Sequence, residues 1–276
     1  MISVNTNVGA AVALQSLNAT SKQLNTVQNR VSTGQKVSTA KDDGAVWAVA
    51  NKMKSDVSAY DKVSESADRA GAMLDTATAA GTAISDLLNQ MKSTAVAATQ
   101  TGLSASAQAN YDAQFVQLRD QVTSIIKNAS FDGSNMIGAT PASAVALGDA
   151  AGTALNNITI AGADLSLGGT IVTVTATSNV SSAANATTAL GLVNTSIDNV
   201  NKQLATWGAG SMRLGNHKTF VGKLQDALNS GISSLTDADL TKESAKLTAL
   251  QTKQQLGVQA LSIANQSSQI ALSLFR

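Results

Sequence analysis

The sequence contains no cysteine, and it has only one proline and one histidine among its 276 residues. The missing thiols exclude a disulfide framework and every metal or nucleophilic site that depends on cysteine. A metal centre with two imidazole ligands is excluded as well, and a Ser-His-Asp triad would have to use His217. Aromatic residues make up only 3% of the chain, so its 43% hydrophobic content consists mainly of Ala, Val, Leu and Ile.

Charged residues are also scarce, at 13%, and the formal net charge is only +1. This balance gives no electrostatic support for binding nucleic acid. No uninterrupted apolar run reaches the roughly 18 residues that a membrane-spanning helix needs, so we expect no membrane insertion. The N-terminus has no basic leader before its apolar part, which is not how a cleavable signal peptide begins.

The composition changes sharply in the middle of the chain. Residues 42–127 mix acidic and basic side chains, as a solvated surface does, whereas residues 128–201 contain no Lys, Arg or Glu. That middle stretch holds eight of the 20 glycines and the only proline, Pro141. We therefore expect the middle of the chain to differ in structure from its two flanks.

Apolar residues follow a heptad spacing over long stretches of both flanks. The spacing from Val46 to Ala98 predicts one helix of more than 50 residues, and the spacing from Val193 to Leu235 predicts a second long helix. A shorter stripe between Tyr111 and Ala129 predicts a third. The sequence therefore predicts a mainly α fold, in which the two flanks form a long antiparallel coiled-coil rod around a small insert.

The two ends of the chain have looser apolar seams, which supply our candidate assembly residues. The C-terminal stretch is apolar on two helix faces, so it needs several neighbours at once. Isolated helices of this kind are marginal in water, so we expect both ends to be disordered in the isolated chain and to fold when other chains pack on them. The candidate residues are Val8, Leu14, Leu17, Leu24, Val27, Val31, Leu256, Leu261, Ile263, Ile270, Leu274 and Phe275.

The periodicity changes from helical to alternating between Thr140 and Thr188. Two β-branched runs, residues 158–167 and 170–177, are separated by Gly168 and Gly169 and so predict a β-hairpin. The Ser-, Thr-, Asn- and Ala-rich sequence around them predicts an exposed loop that tolerates change or deletion.

No catalytic motif is present, since the sequence has no Gly-x-Ser-x-Gly, His-Glu-x-x-His or complete P-loop. The pairs Asp42–Asp43 and Asp237–Asp239 lack the oxygen-rich loop of a calcium site and stand where helices should start, which favours N-cap or first-turn roles. His217 stands among polar residues, so we expect it to be solvated. We predict no cofactor, no metal and no enzymatic activity. An enzyme in the middle region is the alternative from another class, and it would have only Asp132, Asp149, Asp164 and Asp198 as ionisable groups.

Three stretches of the sequence resemble bacterial flagellins. They are VSTGQKVSTAKDDGAVWAVANKM at residues 31–53, NASFDGSNMI at 128–137, and TDADLTKESAKL at 236–247 followed by ANQSSQIALSLFR at 264–276. The resemblance covers both flanks, about residues 1–140 and 188–276, and leaves the middle unmatched. Its short middle makes the chain most similar to the compact flagellins of alphaproteobacteria.

This resemblance implies a secreted structural subunit that polymerises into the extracellular filament of the bacterial flagellum, with other copies or with other flagellins. It implies a terminal coiled-coil inner-tube domain at residues 1–40 and 240–276, a helical rod at 41–140 and 188–239, and a surface hairpin region at 141–187. The motif at the rod junction comprises Lys41, Asp42, Asp43, Asp237 and Asp239.

The resemblance also implies partners. They are the type III flagellar export apparatus with an export chaperone, the filament cap and the hook-associated proteins. A hook-filament junction protein of the same family is the alternative, although residues 31–43 and Asp237-Ala-Asp239 favour the filament subunit. An innate immune receptor binds many flagellins at an Arg-Glu-Leu-rich patch. The matching residues here are Gln90, Lys92, Ser93 and Thr94, so we expect weak receptor activation.

Overall fold

The computed structural model describes residues 7–151 and 156–273, and it describes side chains as far as residue 266. Within these residues the fold is mainly α, as predicted, with small antiparallel hairpins in the middle of the chain. The elements are α1 (Val8–Thr33), α2 (Gly44–Ala98), α3 (Ala105–Asn128), β1 (Ser130–Phe131), β2 (Ser134–Asn135), β3 (Ala144–Ala146), β4 (Ile158–Ile160), α4 (Ala183–Thr236) and α5 (Leu240–Ser273).

The two longest helices confirm the heptad prediction. Helix α2 has 55 residues and α4 has 54. Helix α4 begins ten residues before the predicted stripe, at Ala183. The reason is local, because the Ser182 hydroxyl accepts a hydrogen bond from the Asn185 amide at 3.2 Å, and Ala186 and Ala189 then extend the buried side of the helix.

The chain divides into two compact units. The first is formed by the two ends, up to Ser55 and from Ala227, and the second is formed by Asp56–Asp226. In the first unit α1 packs antiparallel on α5, and the side-chain Nδ2 of Asn7 donates to the Ala264 carbonyl at 2.8 Å. The domain boundaries at residues 40, 140, 188 and 240 stay a prediction.

The core of the second unit is built on the long helices. Trp207 and Phe115 are its largest fully buried side chains. Gly81 fits where the heptad of α2 expects a larger residue, since a Cβ at that position would lie 2.9 Å from Leu204 Cδ2 and 3.3 Å from Trp207 Cζ3. The Trp207 indole thus occupies the space in the core that a larger side chain at position 81 would fill.

The predicted β-hairpin is wrong in its pairing. Strand β4 pairs antiparallel with β3, with Val145 opposite Thr159, and residues 170–177 form no strand. Gly168 does make a turn, at φ +80°. Beyond it Thr173 bonds to α4 instead of to a strand, because its amide donates to the Ser196 hydroxyl at 2.9 Å and its own hydroxyl donates to the Leu192 carbonyl at 2.9 Å.

The middle segment is also far less exposed than the sequence predicts. Leu165, Val172, Val174 and Val180 are fully buried within the hydrophobic core of the second unit. These β-branched and leucine side chains gain more from covering the helices than from forming a separate sheet. The two β-branched runs are therefore a layer of the core. In the sequence around them Ala144, Ala146 and Val180 are buried as well, whereas Ser143, Ser181 and Ser182 are exposed, so the expected exposed loop is present only in part.

A short hairpin of β1 and β2 follows α3. Its two central residues, Asp132 and Gly133, have φ values of +50° and +75°, which is the geometry of a tight two-residue hairpin turn. The Arg69 guanidinium pairs with Asp132 at 2.5 Å and so attaches this turn to α2. No helix within the described residues is long and apolar enough to cross a membrane.

Candidate assembly surfaces

Helices α1 and α5 bury only part of their apolar surface against each other. On α1 the buried residues are Thr20, Leu24 and Val27. Leu17 is half-buried and lies close to Gly257 of α5, where a Cβ would approach the Leu17 Cδ1 atom to 3.3 Å. These residues form one side of the predicted terminal coiled coil.

The remaining candidate residues lie partly or wholly outside this contact. Val8 and Leu14 are exposed on α1, while Leu256 and Ile263 are 58% and 67% exposed on α5. Val31 and Leu261 are half-buried. The side chain of Ile270 and the whole of Leu274 and Phe275 lie outside the described residues. Helix α5 is therefore apolar both toward α1 and away from it, as its two seams predict.

A backbone junction joins the segment after α1 to the segment before α5. The Lys36 amide donates to the Thr236 carbonyl at 2.7 Å, and the Ala238 amide donates to the Gly34 carbonyl at 2.8 Å. Gly34 has a φ of +71°, which ends α1 in a left-handed conformation that favours glycine. Val37 is buried beside this junction.

The paired aspartates at the junction act on helix ends and on a loop. Asp43 Oδ1 accepts from the Val46 amide at 3.0 Å, and Asp239 Oδ1 accepts from the Lys242 amide at 3.1 Å, so both are N-caps as predicted. Asp42 Oδ2 accepts from the Thr39 amide at 2.9 Å. The backbone amide of Thr39, its hydroxyl and the same groups of Ser38 hold the pKa of Asp42 below its usual value.

The other two motif residues complete this arrangement. Asp237 Oδ1 accepts from the Thr236 hydroxyl at 3.2 Å, and Lys41 is exposed on the loop before α2. Among the described residues no group of three or more His, Asp or Glu side chains is arranged to hold a metal ion. The role of the five residues in a rod junction stays a prediction.

Glu243 is a residue of this region that our sequence reasoning did not select. Its carboxylate is buried on α5, where Oε1 accepts from Lys246 Nζ at 2.9 Å and lies 3.7 Å from Arg30 Nη1 of α1. Its Oε2 has no hydrogen-bond partner among the described residues. One feature of the sequence could have pointed to Glu243. It is the last acidic residue of the sequence, and three basic residues follow it.

The four candidate receptor-patch residues do not share one surface. Gln90, Lys92 and Ser93 are exposed on α2, but Thr94 is buried and its hydroxyl donates to the Gln90 carbonyl at 3.1 Å. Residue 94 is therefore part of the packed side of the helix. Weak receptor activation stays a prediction that rests on the first three residues.

His217 is not the solvated side chain that its polar neighbours predict. It is half-buried, and its Nε2 atom is buried without a hydrogen-bond partner among the described residues. The reason is helical spacing, because position 217 lies three residues after buried Leu214 and four before buried Val221.

Comparison with known proteins matches both flanks of the chain. The family model for the bacterial flagellin N-terminal helical region matches residues 4–141, and that for the C-terminal helical region matches residues 190–275. Flagellin FljO of Caulobacter vibrioides is 47% identical over 274 residues, which cover 99% of this chain and 98% of that protein. A flagellin of Brucella melitensis is 36% identical over 283 residues, which cover both chains completely. The crystal structure of Bacillus cereus flagellin is 25% identical and covers 55% of this chain and 86% of that one, with a TM-score of 0.49.

Proposed function

Because this chain belongs to the bacterial flagellins and is a structural subunit of the flagellar filament, we propose that its paired terminal helices form the subunit contacts of an inner tube. These helices lie in residues 1–40 and 240–276. Its relatives imply that the filament is extracellular. They are named as flagellins, and nothing in them favours the hook-filament junction alternative.

The apolar surface that α1 and α5 leave uncovered is the observation that supports this proposal. Leu256 and Ile263 stand seven residues apart on the side of α5 away from α1, and Leu14 is exposed on α1. Several large apolar side chains left exposed on a helix pair are typical of protein contact sites. Neighbouring copies of the same helix pair present the same residues, so each copy covers the uncovered side of the next.

The remaining domain assignments are part of the same proposal. Residues 41–140 and 188–239 form the rod outside the tube, and residues 141–187 lie on the rod. The segments that connect the tube to the rod are stabilised by the five junction residues, Lys41, Asp42, Asp43, Asp237 and Asp239. The N-caps that Asp43 and Asp239 supply support this role, because they fix where the rod helix α2 and the terminal helix α5 begin.

We also propose that the subunit leaves the cell through the flagellar type III export apparatus, with an export chaperone. It then meets the filament cap and the hook-associated proteins. A chain without cysteine and with a single proline is suited to passage as an unfolded polypeptide, since no disulfide can trap it and few slow prolyl isomerisations can delay its folding. The subunit carries out no catalysis.

Charge on the uncovered side of α5 tests the assembly proposal. We expect Ile263→Asp to abolish polymerisation and leave the subunit folded, because the side chain is 67% exposed before assembly and an unpaired carboxylate becomes buried only in the filament. Leu261→Asp should also abolish polymerisation, because it places a charge on the half-buried side of α5 that faces α1. Sedimentation and electron microscopy measure filaments, and circular dichroism measures the fold.

Gln251→Asp is the matched control, because it places the same charge at an exposed polar position of the same helix. It should polymerise normally. Normal filaments from Ile263→Asp would contradict the proposed packing of the terminal helices.

A further inference from the structure

Helix α5 has two apolar faces that could pack on α1. One face carries Leu250 and Leu261, which are half-buried on the same side of the helix as Gly257, the residue next to α1. The other face carries Leu256 and Ile263, which are exposed. The gain from burying apolar surface has no direction. Apolar packing alone therefore does not decide which face of α5 meets α1.

Glu243 makes the two faces of α5 different. It is the only acidic residue of α1 and α5, and it stands two helical turns before Leu250, on the face that meets α1. Its side chain is only 8% exposed, and its Oε1 atom lies 3.7 Å from Nη1 of Arg30 on α1. If α5 turned its other face to α1, this carboxylate would point into solvent and Arg30 would lose the ion pair.

The surroundings of Glu243 are poorly suited to stabilising the helix pair. Its Oε2 atom is buried and has no hydrogen-bond partner among the described residues, and the bond from Lys246 to Oε1 comes from α5 itself. A buried carboxylate that is only partly paired adds little net stability, because its lost hydration offsets the attraction of its partners. A buried polar group of this kind can instead select one packing arrangement among several apolar alternatives.

Other polar contacts at the two ends of the pair depend less on the face that α5 presents. Nδ2 of Asn7 bonds to the Ala264 carbonyl, but every residue of a helix has such a carbonyl. The backbone junction and the N-cap of α5 fix the residue at which the helix begins. The ion pair between Arg30 and Glu243 joins two side chains, so it depends on the rotation of α5 about its own axis.

We propose that Glu243 is the positioning residue that decides which apolar face of α5 packs on α1. The ion pair with Arg30 keeps Leu256 and Ile263 on the outside, where the proposed subunit contacts require them. This consequence rests on the proposed function, whereas the choice of face is made within one copy. The opposite choice would present the other apolar face of α5 to neighbouring copies.

Pairs of engineered cysteines measure which face of α5 meets α1, because the chain has no thiol of its own. With Gly257→Cys and Leu17→Cys, the new Cβ atom at position 257 lies 3.9 Å from that of residue 17, within the range of a disulfide. Leu256→Cys with Leu17→Cys is the matched pair, at the same height of α5 but on its other face. Non-reducing electrophoresis of the dilute, oxidised subunit gives the rate of intramolecular crosslinking for each pair.

With Glu243 in place, we expect the first pair to crosslink at least about tenfold faster than the second. Glu243→Leu should bring the two rates within about threefold of each other, without lowering the urea midpoint of unfolding. Arg30→Leu should also remove the preference, because the ion pair needs both partners. Glu243→Asp keeps the carboxylate and should keep the preference. Lys253→Gln is the control, since it removes a charge from an exposed position of the same helix, and it should leave the ratio unchanged.

The outcomes separate this inference from the proposed function. Equal crosslinking rates with Glu243 in place overturn the inference, and so does a preference that persists in Glu243→Leu. A Glu243→Leu variant that unfolds at lower urea but keeps the preference shows that the residue only stabilises the pair. None of these results depends on polymerisation. Failure of the unmodified chain to polymerise contradicts the proposed function and leaves the choice of face intact.

Discussion

Replacing Trp207 tests whether the middle segment is a layer of the core. Its indole is fully buried on α4, and its Nε1 donates to the Ala161 carbonyl of the middle segment at 3.1 Å. Removing a buried aromatic side chain costs the lost transfer free energy and leaves a cavity, so Trp207→Ala should lower the free energy of unfolding by about 3–5 kcal/mol.

Trp207→Phe separates the hydrogen bond from the packing. It keeps most of the buried apolar surface but loses the bond to Ala161. Because Ala161 is an exposed residue, water can replace the indole as donor, and we expect a loss of about 1–2 kcal/mol. Urea denaturation followed by circular dichroism measures both variants, with the slope of the transition as a check that the unfolded states are comparable.

The second tryptophan supplies the control. Trp47 is 38% exposed at the start of α2, so Trp47→Ala should cost under about 1 kcal/mol. In a Trp47→Phe background Trp207 is the only indole, and its emission reports directly on the layer between the middle segment and α4. A loss below about 1 kcal/mol for Trp207→Ala would refute the reasoning, because a side chain in a packed core cannot be removed so cheaply.

Four further predictions follow from the packing, the caps and the terminal helices. Deleting residues 145–185 with a flexible bridge should sharply lower the thermal stability of the rod, because fully buried Leu165, Val172 and Val174 are removed; an unchanged melting temperature would show that the helices need no cover. Gly81→Ala should destabilise the subunit, because its Cβ would lie 2.9 Å from the Leu204 side chain, whereas Gly208→Ala, with nothing within 4 Å, should stabilise it by up to about 1 kcal/mol; denaturation of the two variants compares them. The lowered pKa of Asp42 means that its hydrogen bonds to Ser38 and Thr39 stabilise the junction fully at any pH above 3.8, the ordinary pKa of the group. This contribution is lost as the pH falls through the lowered pKa. The stability of Asp42→Asn should therefore fall less steeply than that of the wild type below about pH 4, as acid unfolding measures. Backbone amides of residues 1–35 and 245–276 should exchange with solvent faster than those of α2 in the isolated subunit, and protection of both ends in dilute solution would contradict this.

The helices could be predicted from the sequence because their signal is periodic and repeated. A heptad stripe from Val46 to Ala98 has many members, so the poor fit of Gly81 does not interrupt it. The N-caps at Asp43 and Asp239 could also be predicted from the sequence, because an acidic residue directly before an apolar stripe can accept hydrogen bonds from the first backbone amides of the helix.

The middle segment could not be predicted in the same way. Val172 and Val174 have the alternation of a strand and are fully buried, but Thr173 between them bonds to Leu192 and Ser196 of α4, and a local pattern does not contain such distant partners. Tertiary packing therefore decided against the hairpin that β propensity favours. The predictions for His217 and Thr94 failed for a related reason. Both side chains are polar, but their spacing along the helix places them on the same side as buried residues.

The packing of α1 on α5 has a consequence for timing. Asn7 and Ala264 are 257 residues apart in sequence, so α1 has no partner until almost the whole chain has been made. Closing a loop of this length costs several kcal/mol of chain entropy, about 5 by the logarithmic rule. A chain that lacks α5 therefore cannot form the pair of α1 and α5. The helix pair that we propose as the subunit contact therefore forms only after synthesis of the chain has reached α5.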